Sequence, residues 1–188
     1  VLPKNKTAQI STTHPYAAPN IGKTVAVIDL GLKHSLLRSL SLRKINSVVL
    51  PYNASIYDII NLRADAIVIS NGPSRVEEVA PFLKPVFDKF YGKLPILGIG
   101  LGFLAISNYL NLELLDLIPA YNGSNFPAIE QTNNRIWQTA MNIDQLVVPD
   151  SLSLNLSRKY FDLRSELLAG YSIKKDKEKV AIRFAMCF

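Results

Sequence analysis

Four short apolar runs, Val25 to Leu30, Ser47 to Leu50, Ala64 to Ser70 and Leu94 to Ile99, alternate with amphipathic stretches, and this alternation limits the chain to one kind of architecture. Runs of this length, rich in Val and Ile and bounded by turn residues, read as buried strands. Between them, Ser35 to Lys44 sets Leu36, Leu37 and Leu40 on one helical face with Arg38 and Arg43 opposite. Ile56 to Leu62 reads as a short helix, and Val79 to Phe90 as a helix started by Pro81. After the fourth run, Phe103, Ile106 and Leu110 form the inner stripe of another helix. Strands alternating with helices through short loops predict an α/β fold. The expected form is a doubly wound, mostly parallel sheet with helices on both faces and right-handed crossovers. Beyond Asn111 the pattern turns β-rich, with strands expected at Arg135 to Thr139, Gln145 to Val148, Leu167 to Ile173 and Val180 to Phe184. Residues 1–23, with Pro3, Pro15 and Pro19, read as a linker or arm, leaving residues 24–188 as the domain.

Composition excludes several function classes. The net charge of +6, from 21 basic and 15 acidic residues, is not gathered into a patch. Its densest run, Lys174 to Lys179, mixes signs and reads as a solvated turn, so nucleic acid is not an expected partner. The longest apolar stretch, Leu94 to Ile106, is broken by glycines and falls short of the ~20 residues of a membrane helix. No membrane association is expected. The N-terminal segment has no apolar core of a secretory signal, and a beginning without methionine implies a processed or excised start; the expected setting is cytoplasmic. Cys187 is the single cysteine, and His14 and His34 are the only histidines, on separate segments. No metal site and no cofactor are expected.

In doubly wound sheets, chemistry gathers at the carboxyl ends of the strands. Here these ends are Leu30-Gly31, Asn71-Gly72-Pro73 and Gly98-Ile99-Gly100-Leu101-Gly102. The last has the form of a nucleophile elbow, in which small flanking residues allow a sharp turn that thrusts one side chain out beside the amides of the next helix. Gly98 and Gly102 supply the small flanks, but Gly100 supplies no reactive atom. Taken alone, an ordinary glycine-rich strand-to-helix turn explains the same residues.

Asp29-Leu30-Gly31-Leu32-Lys33-His34, Ser70-Asn71-Gly72-Pro73 and Gly98 to Gly102 together resemble the glutaminase domain in the small subunit of carbamoyl-phosphate synthetase, which is a class I glutamine amidotransferase. The resemblance runs from about Ser11 to Phe188. The D-x-G-x-K-x-x-x-x-R segment from Asp29 to Arg38 favours this branch of the class. What the resemblance implies is release of ammonia from glutamine for a large synthetase subunit, in arginine and pyrimidine biosynthesis. It further implies a cysteine nucleophile in G-I-C-L-G-H-Q and a histidine and glutamate in a later H-P-E segment.

The chain departs from that pattern at each chemical position. Gly100 stands at the cysteine, Phe103-Leu104 at the following His-Gln, and Ala185 and Cys187 at the histidine and glutamate. The family's G-H-R-G-S-N-H-P segment appears as Ala120 to Pro127, and its Q-N-H-G segment best matches Ala140 to Ile143. Gly72, Ser74 and Leu101 match positions whose amides would line a vestigial oxyanion or glutamine pocket. Such donors contribute ~10² to 10³ in rate each and do not replace a nucleophile. Cys187, with no histidine nearby in sequence, reads as a buried or incidental thiol; His34 reads as a structural helix-start residue, with a pocket-lining role as the alternative; and Tyr121 and Phe126 either fill the vacated cleft or serve as ordinary packing.

The expected function is therefore a glutaminase-dead member of the family, acting at most as a structural or regulatory partner of the large chain of a carbamoyl-phosphate synthetase. The alternatives are a repurposed binding module and a decayed paralogue. The family's N-terminal domain and C-terminal helix are expected to be absent, with self-association through an uncovered edge as one consequence.

Overall fold

The computed structural model describes residues 6–129, 136–147, 171–175, 179–183 and 186–187. Its main sheet has the order β1-β3-β2-β4-β5-β10. The strands are β1 (Tyr16–Ala18), β2 (Thr24–Asp29), β3 (Asn46–Pro51), β4 (Ala66–Ile69), β5 (Ile96–Gly98) and β10 (Met186–Cys187). The inner four are parallel, while β1 runs antiparallel to β3 and β10 antiparallel to β5. The four runs read from sequence are thus the four parallel strands, in the expected α/β arrangement.

Strand periodicity splits the core into two layers. Val25, Val27, Val49 and Val68 pack with Leu36, Leu37 and Leu40 of α2 (His34–Leu42) on one face. Ala26, Ile28, Leu50, Ile67, Ile69 and Ile96 pack on the other with α3 (Ile56–Asn61), α4 (Val76–Phe90) and α5 (Leu101–Tyr109). Ser55 starts α3 with a capping box, its hydroxyl accepting from the Asp58 amide while the Asp58 carboxylate accepts from the Ser55 amide.

Two readings change. Helix α4 begins at Val76 and carries Pro81 and Pro85 in its interior. Both prolines are exposed, so the carbonyls that lose their N–H partners face water, while Val76, Val79, Leu83, Val86, Phe87 and Phe90 keep a continuous buried stripe. Glu77 and Glu78 in the first turn suit the positive end of the helix dipole. The arm is also more than a linker: it forms helix α1 (Lys6–Ile10) and the edge strand β1. Three residues are too few to show a strand period, and the pairing with β3 is what makes this segment a strand.

The β-rich half forms a second sheet of order β6-β7-β9-β8, with β6 (Leu114–Ile129), β7 (Ile136–Val147), β8 (Tyr171–Lys175) and β9 (Lys179–Arg183). The pieces expected around 135–139 and 145–148 are one strand, β7, and its partner β6 was not expected. Register shifts between Asp116 and Tyr121 and between Gly123 and Phe126 interrupt the two-residue alternation that reveals a strand. Residues Arg135, Val148, Leu167 to Gly170 and Phe184 of the expected strands lie outside the described residues. Strands β8 and β9 pair antiparallel with Lys175 opposite Lys179, so Lys174, Lys175 and Lys179 of the mixed-charge run belong to the strands themselves.

The two sheets meet at the start of α4. Buried Gln145 on β7 accepts from the Val76 amide (3.1 Å) and donates to Glu77 (2.9 Å) and Asp116 (3.2 Å). It caps the helix from another element, satisfying an amide that has no partner within the helix. Arg75 donates to Asp116 at 2.6 Å, and these hydrogen bonds from Arg75 and Gln145 hold the Asp116 carboxyl below the usual carboxylate range. A group whose folded-state pKa is depressed stabilises above its unfolded pKa and loses that contribution as pH falls through the folded value. We expect Gln145→Ala to cost about 1 to 3 kcal/mol. The variant should also lose part of the wild-type protein's sensitivity to acid below the normal aspartate range. Urea titrations at pH 7 and at a pH below the usual aspartate range check both effects.

No helix among the described residues is long and apolar enough to cross a membrane.

Candidate functional site

The parallel strands run in the order β3-β2-β4-β5, so the connection leaving β2 goes to β3 on one side and the connection leaving β4 goes to β5 on the other, which makes the carboxyl ends of β2 and β4 the switch point where such sheets form a crevice. The residues singled out from sequence converge here and beside it. Strand β5 ends at Gly98, and Gly100, at φ 58° and ψ −108°, makes the turn into α5. That backbone conformation disfavours any residue with a Cβ, so the sharp elbow geometry is present and is held by a residue that adopts it without strain.

The elbow is stitched to the neighbouring strand. Ile99 N donates to Ile69 O (2.9 Å), Gly102 N to Ser70 O (3.2 Å) and Ile99 O (3.0 Å), and Leu104 N to Gly100 O (3.1 Å). Gly98 and Gly102 are required by proximity: a Cβ on Gly98 would lie 2.7 Å from the Gly102 carbonyl carbon, and one on Gly102 would lie 2.8 Å from the Ile69 carbonyl carbon. Helix α5 therefore leaves the sheet at its closest possible approach.

Gly72 and Leu101 are neighbours, since a Cβ on Gly72 would sit 3.0 Å from Leu101 Cδ2 and against the Leu30 carbonyl. Leu101 is buried at the first position of α5, where a helix leaves its amides without internal partners. Ser74 is buried, and its hydroxyl accepts from the Thr7 amide at 3.0 Å. The turn is held to β2 from the other side: Ser70 Oγ accepts from Leu30 N (2.9 Å) and donates to Asn71 O (2.9 Å), while Asn71 Nδ2 donates to Gly31 O (3.2 Å). Gly72, Ser74, Gly100 and Leu101 are thus gathered at one edge of the sheet.

Cys187 arrives from the far end of the chain. On β10 its backbone pairs with Leu97 and that of Met186 with Gly98, which sets this segment beside the strand that carries the elbow. Ala185 lies outside the described residues. The segments Ala120 to Pro127 and Ala140 to Ile143 come together in the β6–β7 ladder, with Tyr121 opposite Ile143 and Gly123 opposite Met141. Helix α5 packs against both strands. His34 is the exposed first residue of α2.

Sequence reading missed the role of Asp29. This buried carboxylate accepts from Gly31 N and Leu32 N through Oδ1 (2.8 Å each) and from Thr12 N through Oδ2 (2.7 Å), tying the first strand-to-helix turn to the arm. Burial, and then the Asp29 charge, raise the pKa of the Tyr16 hydroxyl on β1. An aspartate two residues before a glycine at a strand end was the available signal, because such side chains commonly accept from amides just downstream.

The class I glutamine amidotransferase family model matches residues 26–162, which spans the elbow, the Asn71–Ser74 turn and both strands of the β6–β7 ribbon. The chain belongs to the class I glutamine amidotransferase family. This amidotransferase domain is 34% identical over 170 residues to the carbamoyl phosphate synthase small chain of Streptococcus mutans, covering 90% of this chain and 47% of that protein. The small chain from Lactococcus lactis subsp. lactis is 33% identical with the same coverage. The pyrimidine-specific small chain of Bacillus subtilis is 33% identical over 143 residues, covering 75% of this chain and 38% of the relative. The amidotransferase domain spans about half the length of the curated relatives it matches. Among solved structures, a GMP synthase component from Thermoplasma acidophilum shares the fold, with a TM-score of 0.53, 18% identity and 66% coverage of each chain.

Proposed function

We propose that this carbamoyl-phosphate-synthetase small-chain-like domain does not hydrolyse glutamine and serves as a non-catalytic partner of the synthetase large chain. The observation that carries this reading is Gly100 at the apex of the elbow, with a nucleophile's backbone and no nucleophilic atom. Attack on a glutamine amide needs a thiolate or equivalent at that apex, a base to activate it and donors for the oxyanion. Gly72, Ser74 and Leu101 offer the third element alone. Family positions for base and orienter are Ala185 and Cys187, and alanine has no titratable group. Cys187 cannot stand in for the missing cysteine without a base, which the sequence does not place beside it.

The test is ammonia release from glutamine by the purified chain, alone and with a carbamoyl-phosphate synthetase large chain, together with complex formation by analytical ultracentrifugation. No release with a stable complex is the expected result. Release above background overturns the inactive reading, and absence of a complex overturns the partner reading.

Restoring the family's nucleophile does not restore activity. Gly100→Cys is expected to leave ammonia release at background and to lower stability by about 1 to 3 kcal/mol, because the new Cβ must adopt a positive-φ conformation. A rise in unfolding temperature on this substitution would contradict the view that the elbow conformation is one glycine adopts without strain and other residues do not.

A further inference from the structure

The crevice between β2 and β4, where doubly wound folds take their ligands, already has an occupant in this chain. Helix α1 and the residues after it cross the carboxyl ends of both strands. Thr7 is fully buried there, its amide donating to Ser74 Oγ at 3.0 Å and its hydroxyl to Leu30 O at 3.5 Å. Ile10 Cδ1 lies 2.5 Å from where a Cβ on Gly31 would stand, and Pro73 Cδ and Gly72 Cα lie 3.2 Å and 3.4 Å from the same point. Further along, Ser11 Oγ accepts from Tyr52 N (3.0 Å) and Thr12 N donates to Asp29 (2.7 Å).

We infer that residues 6–12 form a strap that closes this crevice and that Ser74 is its latch. Three of the hydrogen bonds bind the strap to the ends of β2 and β3, and the Thr7–Ser74 hydrogen bond ties it to the Asn71–Ser74 turn, which lies beside Leu101 at the start of α5. The latch depends on a side chain, since a glycine at position 74 would have no hydroxyl to accept the Thr7 amide. Burial makes the bond consequential. Thr7 N–H has no water to turn to once its acceptor is removed, so the strap must lift for the amide to be solvated. With the latch closed, a ligand at the switch point must displace the chain's own strap before it reaches the turn.

Amide hydrogen exchange on the full chain tests the latch, comparing wild type with Ser74→Gly and Thr7→Pro. Ser74→Gly removes the acceptor and adds no bulk. Thr7→Pro removes the donor at the first turn of α1, where proline is tolerated, and with it the hydroxyl bonded to Leu30 O, so Ser74→Gly is the cleaner of the two. In both variants, peptides covering 6–12 and 71–74 should exchange roughly tenfold faster, as loss of one partner of a buried hydrogen bond commonly allows. Peptides covering β2 and β4 should be unchanged. Unchanged exchange in the strap overturns the proposal. So does a parallel rise in β2 and β4, which would make Ser74 a general contributor to the fold instead of a latch.

Discussion

Gly102→Ala is expected to remove about 3 kcal/mol or more of stability, a large share of the 5 to 15 kcal/mol typical of a domain. The added methyl has no space. It would overlap the Ile69 carbonyl oxygen and lie 2.8 Å from the Ile69 carbonyl carbon and 2.9 Å from its Cβ. Two of these are backbone atoms of a central strand, which cannot swing aside as the end of a long side chain can. Helix α5 would have to move off β4, weakening the Gly102 N to Ser70 O hydrogen bond and opening the layer formed by Leu101, Phe103, Leu104 and Ile106. Gly98→Ala points the same way, because its added Cβ would meet the Gly102 carbonyl carbon and oxygen at 2.7 Å as well as Ile106 Cδ1 at 2.6 Å. Gly92→Ala is the control: it has φ +74° with no atom within 4 Å of the added Cβ, so only the backbone conformation is penalised, by roughly 1 to 2 kcal/mol. Urea midpoints rank the three. A Gly102→Ala midpoint no lower than that of Gly92→Ala would mean that the strand and helix do not meet as closely as described.

The same glycines mark what the sequence could convey. Gly98, Gly100 and Gly102 were legible as an elbow because the spacing of small residues is a local property, and local backbone demands leave local traces. The parallel strands were legible for a related reason. Each is buried on both faces, so Val25 to Leu30 and Ala64 to Ser70 are nearly uninterrupted apolar runs. Features that depend on a distant partner were not. Gln145 reads as one polar residue in a strand, yet its neighbours are the first turn of α4 and Asp116, brought together only when β7 lies against the main sheet. The arm was unreadable for the same reason: Thr7, Ser11 and Thr12 are ordinary polar residues until Ser74, Tyr52 and Asp29 are placed beside them. Strand β6 was hidden by its own irregularity, since two register shifts break the alternation along it.

Asp29→Ala is expected to cost about 3 kcal/mol, although the site chemistry makes no use of the carboxylate. Two oxygens, 95% shielded from solvent together with the rest of the residue, satisfy three backbone amides from two segments. Hydrogen bonds to an ionised acceptor are about twice as strong as neutral ones, and an amide left without a partner in a buried setting carries its desolvation cost in full. The sum is not three independent terms, because Gly31 and Leu32 are only half-buried and their amides can recruit water once the side chain is gone. Asp29→Asn separates the two roles. Its amide oxygen can still accept from Gly31 and Leu32, but the NH2 group then faces the Thr12 amide, donor against donor, so the loss should fall between wild type and alanine and concentrate in the arm. Denaturation midpoints give the totals, and hydrogen exchange at Thr12 locates the asparagine effect. An alanine variant within about 1 kcal/mol of wild type would mean that water replaces the carboxylate, and the account of the turn would be wrong. If the expected losses are found, the D-x-G signature that helps to mark this branch of the amidotransferases has a folding explanation: it joins the arm to the first strand-to-helix turn, and it can persist in a chain whose elbow carries glycine.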